Sequence, residues 1–453
     1  MPAFPFVYAG PMATRNLTRR LGLWDTKAII IGTIIGSGVF IVPGEIARAL
    51  PSAEWILAIW AVGGLLSLCG ALAFAELGAM LPHSGGQYVY LREAYSPLWG
   101  FLFSWVLLLV IRSGGTATLA VGFSIYLSHL VPMPPVMERL SPPAIILALT
   151  ILNYRTLIGG AMMQNITTFL KVAGLLFVAG TALFHQAPSA TGDTGASVID
   201  FGASEVGSAL LACLWAYNGW FQAGFVGGEI RNPGRNLPIS LGIGVGIVML
   251  LYLLANVAYM QVLTVEEIAG TERVAAVVLE RVFGLAGGTM ISLIILVSIT
   301  GAMNAGILTG PRVYFAQARD SLFFRIFGEV HQRFHTPAFA VLLQGAWAAL
   351  LSLSGTYTGL FSFVMFVAWI FYGMTVLGVI ILRKKRPEWE RPYRMWGYPV
   401  TPLLFGLASL WLVVNTMLDR PVPSLAGLAL IASGLPLFYR WRRHARPSQM
   451  RAT

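Results

Sequence analysis

Charged residues are scarce in this sequence. Asp, Glu, Lys and Arg together make up 11% of the 453 residues, whereas hydrophobic residues make up 57%. In a soluble globular domain about a quarter of the residues are charged. The composition therefore excludes an ordinary soluble protein and indicates an all-α integral membrane protein.

Residues suited to covalent or metal chemistry are also few. The two cysteines, Cys69 and Cys213, both lie inside apolar runs, and the six histidines are scattered. No Cys-His, Ser-His-Asp, phosphate-loop or dinucleotide-binding pattern occurs in a suitable setting. We therefore expect no enzyme activity, no metal or cofactor site and no structural disulfide.

Apolar runs long enough to cross a bilayer as helices, about 17 to 25 residues each, fill most of the chain. We predict twelve: 26–50, 53–81, 100–131, 142–160, 161–186, 205–228, 238–262, 284–315, 337–355, 358–382, 399–418 and 422–440. The first run is not followed by the small-residue cleavage site that marks a signal peptide, so a removable signal peptide is not expected. An even number of spans places both termini on one side.

Basic residues predict the orientation. Most of the 30 Lys and Arg fall in loops on the side of the termini, for example Arg231, Arg235 and the segment 383–394. The positive-inside rule then gives a multi-pass protein of the cell membrane with both termini cytoplasmic. The net charge of +11 belongs to short loops that meet anionic lipid, so nucleic acid is not an expected partner.

Glycines interrupt the first span at its centre. Gly32, Gly36 and Gly38 occur within "GTIIGSGVF", and each glycine in a helix interior costs about 1 kcal/mol relative to alanine. An unwound backbone here would present free N–H groups and the positive end of a helix dipole to a bound anion such as a carboxylate. The alternative is a small-xxx-small surface on which another helix packs closely.

The sixth span has a similar interruption. In "LACLWAYNGWFQAGFVGG" the small and polar pair Asn218 and Gly219 lies mid-span, and Trp215, Tyr217 and Trp220 surround it. Two interrupted helices at corresponding positions are typical of inverted-repeat transporters, whose site lies near the bilayer midplane. This favours unwinding over simple packing.

Several long motifs share one resemblance. "GTIIGSGVF", "AELGAMLPHSGGQYVYLREAYSPLWGFLFSW" at 75–105, "LLVIR" at 108–112, "LWAYNGW", "GGEIRNPGRNLP" at 227–238 and "RKKRPEWERPYR" at 383–394 occur in order along the chain. Together they resemble the amino acid–polyamine–organocation superfamily and, within it, a prokaryotic member of the L-amino acid transporter family.

The resemblance implies a LeuT-like 5+5 inverted-repeat fold with twelve transmembrane helices, of which the first and sixth are unwound at mid-membrane. Its divisions are a cytoplasmic segment 1–25, a first repeat 26–186, a second repeat 205–382, two further helices at 399–440 and a cytoplasmic tail 441–453. The implied function is alternating-access transport of α-amino acids.

The resemblance also assigns site residues. The amides of Gly36, Ser37 and Gly38 hold the substrate carboxylate, with help from the Ser37 hydroxyl. Carbonyl groups hold the α-ammonium at both interruptions, and Trp215 closes the occupied site as a gate. The carbonyl positions lie around Ile34, Trp215, Ala216, Asn218 and the adjoining Gly219.

Two basic residues lie inside spans. Lys171 is about ten residues into the fifth span, where insertion of a lysine costs roughly 2.5 to 3.5 kcal/mol, so it is expected to have a function. By resemblance its ammonium replaces sodium, bonding carbonyls near Gly32 and a hydroxyl such as that of Ser298. Arg112 of the third span is interpreted as structural and paired within the bundle, with Glu76 as the proposed partner. The alternative is that Arg112 binds an anionic substrate.

The expected function is sodium-independent exchange, or uniport, of neutral L-α-amino acids. A proton- or sodium-coupled symporter of amino acids or polyamines is the alternative. The stretch between spans 3 and 4, "VPMPPVMERLSPP", has no cysteine, so no disulfide-linked heavy subunit is expected. The partners are then the amino acid substrate and the lipid bilayer.

Overall fold

The computed structural model describes residue 19 and residues 21–50, 52–155, 157–184, 202–334 and 336–444. Most of the predicted terminal segments, 1–25 and 441–453, lies outside the described residues. The α-helices are α1 Leu23–Ile34, α2 Gly38–Ala49, α3 Ala53–Met80, α4 Gln87–Ala94, α5 Pro97–Val106, α6 Arg112–Leu130, α7 Pro135–Arg155, α8 Leu157–Phe184, α9 Ala203–Ala216, α10 Pro233–Val262, α11 Val265–Ala269, α12 Val274–Phe283, α13 Leu285–Thr309, α14 Pro311–Arg319, α15 Ala338–Ser352, α16 Tyr357–Lys385, α17 Val400–Asp419 and α18 Pro421–His444.

Ten helical segments within the described residues are long and apolar enough to cross a membrane. They match ten of the twelve predicted runs, which confirms an all-α, multi-pass membrane architecture. Of the other two predicted runs, the ninth forms α15, an apolar helix that is shorter than these segments. The sixth is interrupted, so neither half reaches the length of a span.

The first span breaks where its glycines predict. Helix α1 ends at Ile34 and α2 begins at Gly38, so residues 35–37 lie outside both helices. The last carbonyls of α1 and the first amides of α2 have no partners within their own helices. These backbone groups are therefore available to side chains or to a ligand.

The sixth span breaks at its Asn-Gly pair. Helix α9 ends at Ala216, and a 3-10 helix, Trp220–Glu229, follows the turn. Gly219 has φ 129°, a conformation that glycine adopts without the steric penalty of a side chain. The turn therefore depends on a glycine at this position.

The two breaks lie against each other. A Cβ at position 38 would lie 2.5 Å from the Ala216 Cα, and one at position 219 would lie 2.8 Å from the Thr33 carbonyl carbon. The Thr33 hydroxyl also donates to the Gly219 carbonyl at 3.2 Å. Close packing and unwinding thus occur together, although they were alternatives from the sequence.

The proposed pairing of Arg112 with Glu76 is wrong. Glu76 accepts from Arg383 Nε and Nη2 at 2.8 and 2.6 Å and from the Met395 amide at 2.8 Å. Glu76 lies in the last turns of α3, whereas Arg112 begins α6 in the interior of its span. Arg383 reaches Glu76 from a helix 307 positions away in sequence, a contact that local sequence patterns do not reveal.

Candidate functional site

A central cavity of about 50 Å³ lies between the two breaks. Of the predicted site residues, all those on the breaks except Gly219 and Gly32 line it. The lining is Thr33, Ile34, Gly36, Ser37, Gly38, Ile111, Arg112, Gly115, Leu119, Trp215, Ala216, Asn218, Phe221, Gln222 and Ala302. The cavity is therefore built mainly from residues of the two interrupted spans.

One wall of the cavity is the start of α2. Gly36 faces the open space, since a Cβ there would meet only the Leu119 Cδ2 at 3.1 Å and the Ala302 Cβ at 3.5 Å. Ser37 is fully buried, and its hydroxyl lies 2.7 Å from the Tyr357 hydroxyl. Free amides at a helix N-terminus favour an anion, so this wall suits a carboxylate.

Carbonyl groups from both breaks lie on another side. The Tyr252 hydroxyl is 3.1 Å from the Ile34 carbonyl oxygen and 3.2 Å from that of Ala216. A carbonyl oxygen has two lone pairs, so each of these oxygens retains capacity for a second donor. The Trp215 carbonyl instead accepts from the Asn218 amide at 3.1 Å and closes the turn.

The Asn218 side chain is held by one neighbouring helix. Its Oδ1 accepts from the Tyr372 hydroxyl at 3.1 Å, and its Nδ2 lies 3.5 Å from the Met365 sulfur. Both partners belong to α16. The polar residue at the centre of the sixth span is therefore fixed in orientation while it lines the cavity.

Trp215 contacts the first turns of α16. Its ring stacks on Phe361 with centroids 5.8 Å apart and planes inclined at 23°. Its Nε1 donates to the Tyr357 hydroxyl at 2.9 Å. This predicted gate residue is thus held in place by one stacking contact and one hydrogen bond, both with the same helix.

Lys171 of α8 is completely buried. Its Nζ donates to the carbonyls of Gly32 at 2.8 Å and Ile35 at 2.7 Å. The single hydroxyl proton of Ser298 on α13 is shared between the Ile35 and Gly36 carbonyls, at 3.3 and 3.1 Å. The ammonium and the hydroxyl therefore meet at the Ile35 carbonyl and hold the end of α1 from two sides.

Arg112 lines the cavity without a carboxylate partner among the described residues. In the amide orientation that satisfies both neighbours, Gln222 accepts from both Arg112 Nη atoms at 3.1 Å and donates to Thr309 at 3.0 Å. The Arg112 Nε has no hydrogen-bond partner. This buried guanidinium is therefore only partly satisfied.

The end of the bundle that carries α4 has a second cavity of about 660 Å³. Asp320 accepts from the Tyr88 hydroxyl at 2.6 Å and is ion-paired with Arg92. Burial opposes the charge on Arg92, but Asp320, Tyr88 and Glu93 together raise the pKa of its guanidinium. Helix α4 is thus tied to the end of α14 by a charged cluster.

The tyrosines that surround the site were not predicted from the sequence. Tyr252, Tyr357 and Tyr372 bond Ile34, Ala216, Ser37, Trp215 and Asn218 from α10 and α16. A tyrosine inside an apolar span usually has a partner for its hydroxyl, and this was the available signal. Sequence alone does not reveal which partner each one bonds.

Metal chemistry finds no support in the described part of the chain. No group of three or more His, Cys, Asp or Glu side chains could hold a metal ion there. The groups that converge on the central cavity are instead amides, carbonyls, hydroxyls and one guanidinium. Such a set suits a small zwitterion rather than a metal-bound reactant.

Comparison with known proteins agrees with this geometry. The model of the amino acid permease family matches residues 21–436. The chain belongs to the amino acid–polyamine–organocation superfamily. Its resemblance to the L-amino acid transporter family is likewise confirmed, and the protein is an amino acid transporter rather than an enzyme.

The similar proteins cover most of the chain. The human b(0,+)-type amino acid transporter 1 is 35% identical over 94% of this chain and 88% of its own length. The human cystine/glutamate transporter is 32% identical over 94% and 85%. The serine/threonine exchanger SteT of Bacillus subtilis is 31% identical over 94% and 98%. The matched range 21–436 thus spans both breaks and the central cavity.

Proposed function

We propose that this transporter exchanges neutral L-α-amino acids without sodium. The observation that carries the proposal is the pairing of two backbone walls across one small cavity, the amides at 36–38 and the carbonyls of Ile34 and Ala216. The first wall suits a carboxylate and the second an ammonium, so only the α-amino acid core is bound by charge.

The lining favours a small, uncharged side chain. No Asp or Glu is among the residues that line the cavity, so a cationic side chain would have no counter-charge there. The volume of about 50 Å³ leaves little room beyond the amino acid core. The relative named as a serine/threonine exchanger supports the same size class.

Lys171 supports independence from sodium. Its ammonium donates to the Gly32 and Ile35 carbonyls. Carbonyls at the unwound end of a half-helix are the groups that coordinate sodium in transporters with broken helices. A bound sodium ion is therefore not needed to hold the broken helix together.

Arg112 favours a second candidate, exchange of amino acids with an acidic side chain. Its guanidinium lines the cavity without a carboxylate partner among the described residues, and one of its donors is free. The relative named as a cystine/glutamate transporter is consistent with this possibility. Because Gln222 already accepts from both Arg112 Nη atoms, neutral substrates remain the first proposal.

The remaining assignments extend this proposal. We place the protein in the cell membrane with both termini cytoplasmic, 26–186 and 205–382 as the two repeats, and 399–440 as additions. The only two cysteines, Cys69 and Cys213, lie in α3 and α9 within the membrane. This supports a transporter without a disulfide-linked heavy subunit, although one relative is named as a small subunit.

The test is uptake of labelled serine, alanine, leucine and glutamate into liposomes containing the purified protein. The liposomes are loaded with the same unlabelled amino acid or with buffer, without ion gradients. Uptake of a neutral amino acid that requires internal amino acid supports the proposal. Preferential exchange of glutamate supports the second candidate, and concentrative uptake driven only by an imposed sodium or proton gradient refutes both.

A further inference from the structure

Tyr357 connects three parts of the central site. It is the first residue of α16 and is buried. Its hydroxyl lies 2.7 Å from the Ser37 hydroxyl on the first break and 2.9 Å from the Trp215 indole nitrogen. One phenolic oxygen therefore links the proposed carboxylate wall to the gate.

The chemistry of the three groups sets the direction of these bonds. An indole N–H only donates, whereas a hydroxyl donates once and accepts. Tyr357 must therefore accept from Trp215. Its own proton remains available for Ser37, and if it is donated there, the Ser37 proton is left to point at the cavity that Ser37 lines.

We propose that Tyr357 is a positioning residue through which the substrate carboxylate closes the gate. The donors run in one direction: Trp215 N–H to Tyr357, Tyr357 O–H to Ser37, and Ser37 O–H to the carboxylate. This inference rests on the proposed function, because it requires an amino acid carboxylate in the cavity.

An anion bound to Ser37, at the end of this series of hydrogen bonds, selects one of two proton arrangements. In an empty site the Ser37 proton can point at Tyr357, and the chain is then interrupted. A carboxylate draws that proton toward itself, and Tyr357 then donates to Ser37. Hydrogen bonds in such a chain polarise and strengthen one another, so the bond that holds Trp215 strengthens when a carboxylate is present.

Packing around Tyr357 keeps the hydrogen-bonding groups of Tyr357 and Ser37 in position. A Cβ at Gly122 of α6 would lie 3.1 Å from the Tyr357 ring and 3.4 Å from the Ser37 Cβ. The absence of a side chain there lets both groups approach α6. The adjacent Thr358 donates to Glu45 of α2 at 2.9 Å, which ties the start of α16 to the helix whose N-terminus forms the carboxylate wall.

The first test compares the wild type with Tyr357→Phe, which removes only the hydroxyl. Exchange is measured in proteoliposomes as a function of substrate concentration. Inhibition is measured with a preferred amino acid and with its amide, in which a carboxamide replaces the carboxylate. We expect Tyr357→Phe to raise the KM about fivefold, the size of one neutral hydrogen bond, with a smaller effect on kcat.

The decisive quantity is the preference for carboxylate over carboxamide. We expect Tyr357→Phe to reduce this ratio by at least threefold, whereas a packing defect would weaken both ligands equally. Tyr126→Phe is the matched control: Tyr126 is buried, and among the described residues its hydroxyl bonds the Phe40 carbonyl, at 3.3 Å. It should keep the wild-type ratio.

Trp215→Phe provides a second, independent variant, because phenylalanine keeps an aromatic ring next to Phe361 but lacks the N–H. It should lower the same ratio, and combining it with Tyr357→Phe should add little. If the ratio is unchanged in the variants that fold, the proposed role of Tyr357 is overturned. The proposed function still stands in that case, provided that the wild type exchanges amino acids. A wild type that exchanges no amino acid overturns both.

Discussion

Replacement of Lys171 by methionine tests the proposed substitute for sodium. The change keeps an unbranched side chain of similar length but removes the ammonium. The two carbonyls of Gly32 and Ile35 lose a charged donor. They lie at the C-terminal end of α1, where unpaired carbonyls and the helix dipole place partial negative charge.

The structure limits how large the effect can be. The Ile35 carbonyl keeps the Ser298 hydroxyl at 3.3 Å, so Gly32 loses the more important partner. A buried polar group left without a hydrogen bond costs about 1 to 3 kcal/mol. If this loss falls on the substrate-binding conformation, the KM rises roughly 5- to 150-fold, since 1.4 kcal/mol corresponds to a factor of ten.

The assay is concentration-dependent exchange of a neutral amino acid in proteoliposomes, accompanied by thermal unfolding of the purified variant. Lys27→Met is the matched control, because Lys27 also lies on α1 but is partly exposed and contacts the ring of Trp24. We expect the control to keep the wild-type KM. A Lys171→Met variant with both KM and thermal stability within error of the wild type would refute the reasoning.

Three further predictions concern backbone and buried charge. Gly36→Ala should fold but exchange more slowly, because its methyl group enters the cavity, whereas Gly38→Ala should lower the yield of folded protein on size-exclusion chromatography. Glu229→Gln should lower the unfolding free energy by about 3 to 5 kcal/mol, since it leaves the 2%-exposed Arg312 unpaired; adding Arg312→Met should restore part of the loss on thermal unfolding. Tyr252→Phe should lower the unfolding free energy by about 1 kcal/mol in the same measurement, because the Ile34 and Ala216 carbonyls both lose the hydroxyl that bonds them.

Features carried by the backbone could be predicted from the sequence. The apolar runs indicated the spans, and the Gly and Asn-Gly clusters indicated both breaks to within a residue or two. The contact of Lys171 with the first break was instead expected from the resemblance to the family, because burial alone predicts only that its ammonium needs oxygen acceptors. The spans and the breaks depend on local composition, so local sequence is sufficient for them.

Side-chain pairing between distant helices could not be predicted in the same way. Arg112 and Glu76 were paired on the basis of charge alone, yet Glu76 bonds Arg383 and Arg112 contacts Gln222. Tyr357 also gave little signal, because a tyrosine at the start of a span is typical of the membrane interface. Its two partners are brought to it only by the packing of α2, α9 and α16.

The glycines of the first break explain why unwinding and packing are not alternatives. Unpaired backbone is tolerated at membrane depth only where protein covers it or a cavity faces it. Gly38 lies against Ala216, Gly32 against Gln164 and Thr168, and Gly36 faces the cavity. Two glycines thus cover the unwound segment by close packing while the third leaves room for a ligand, so only a substitution at Gly36 separates the binding role from the structural one.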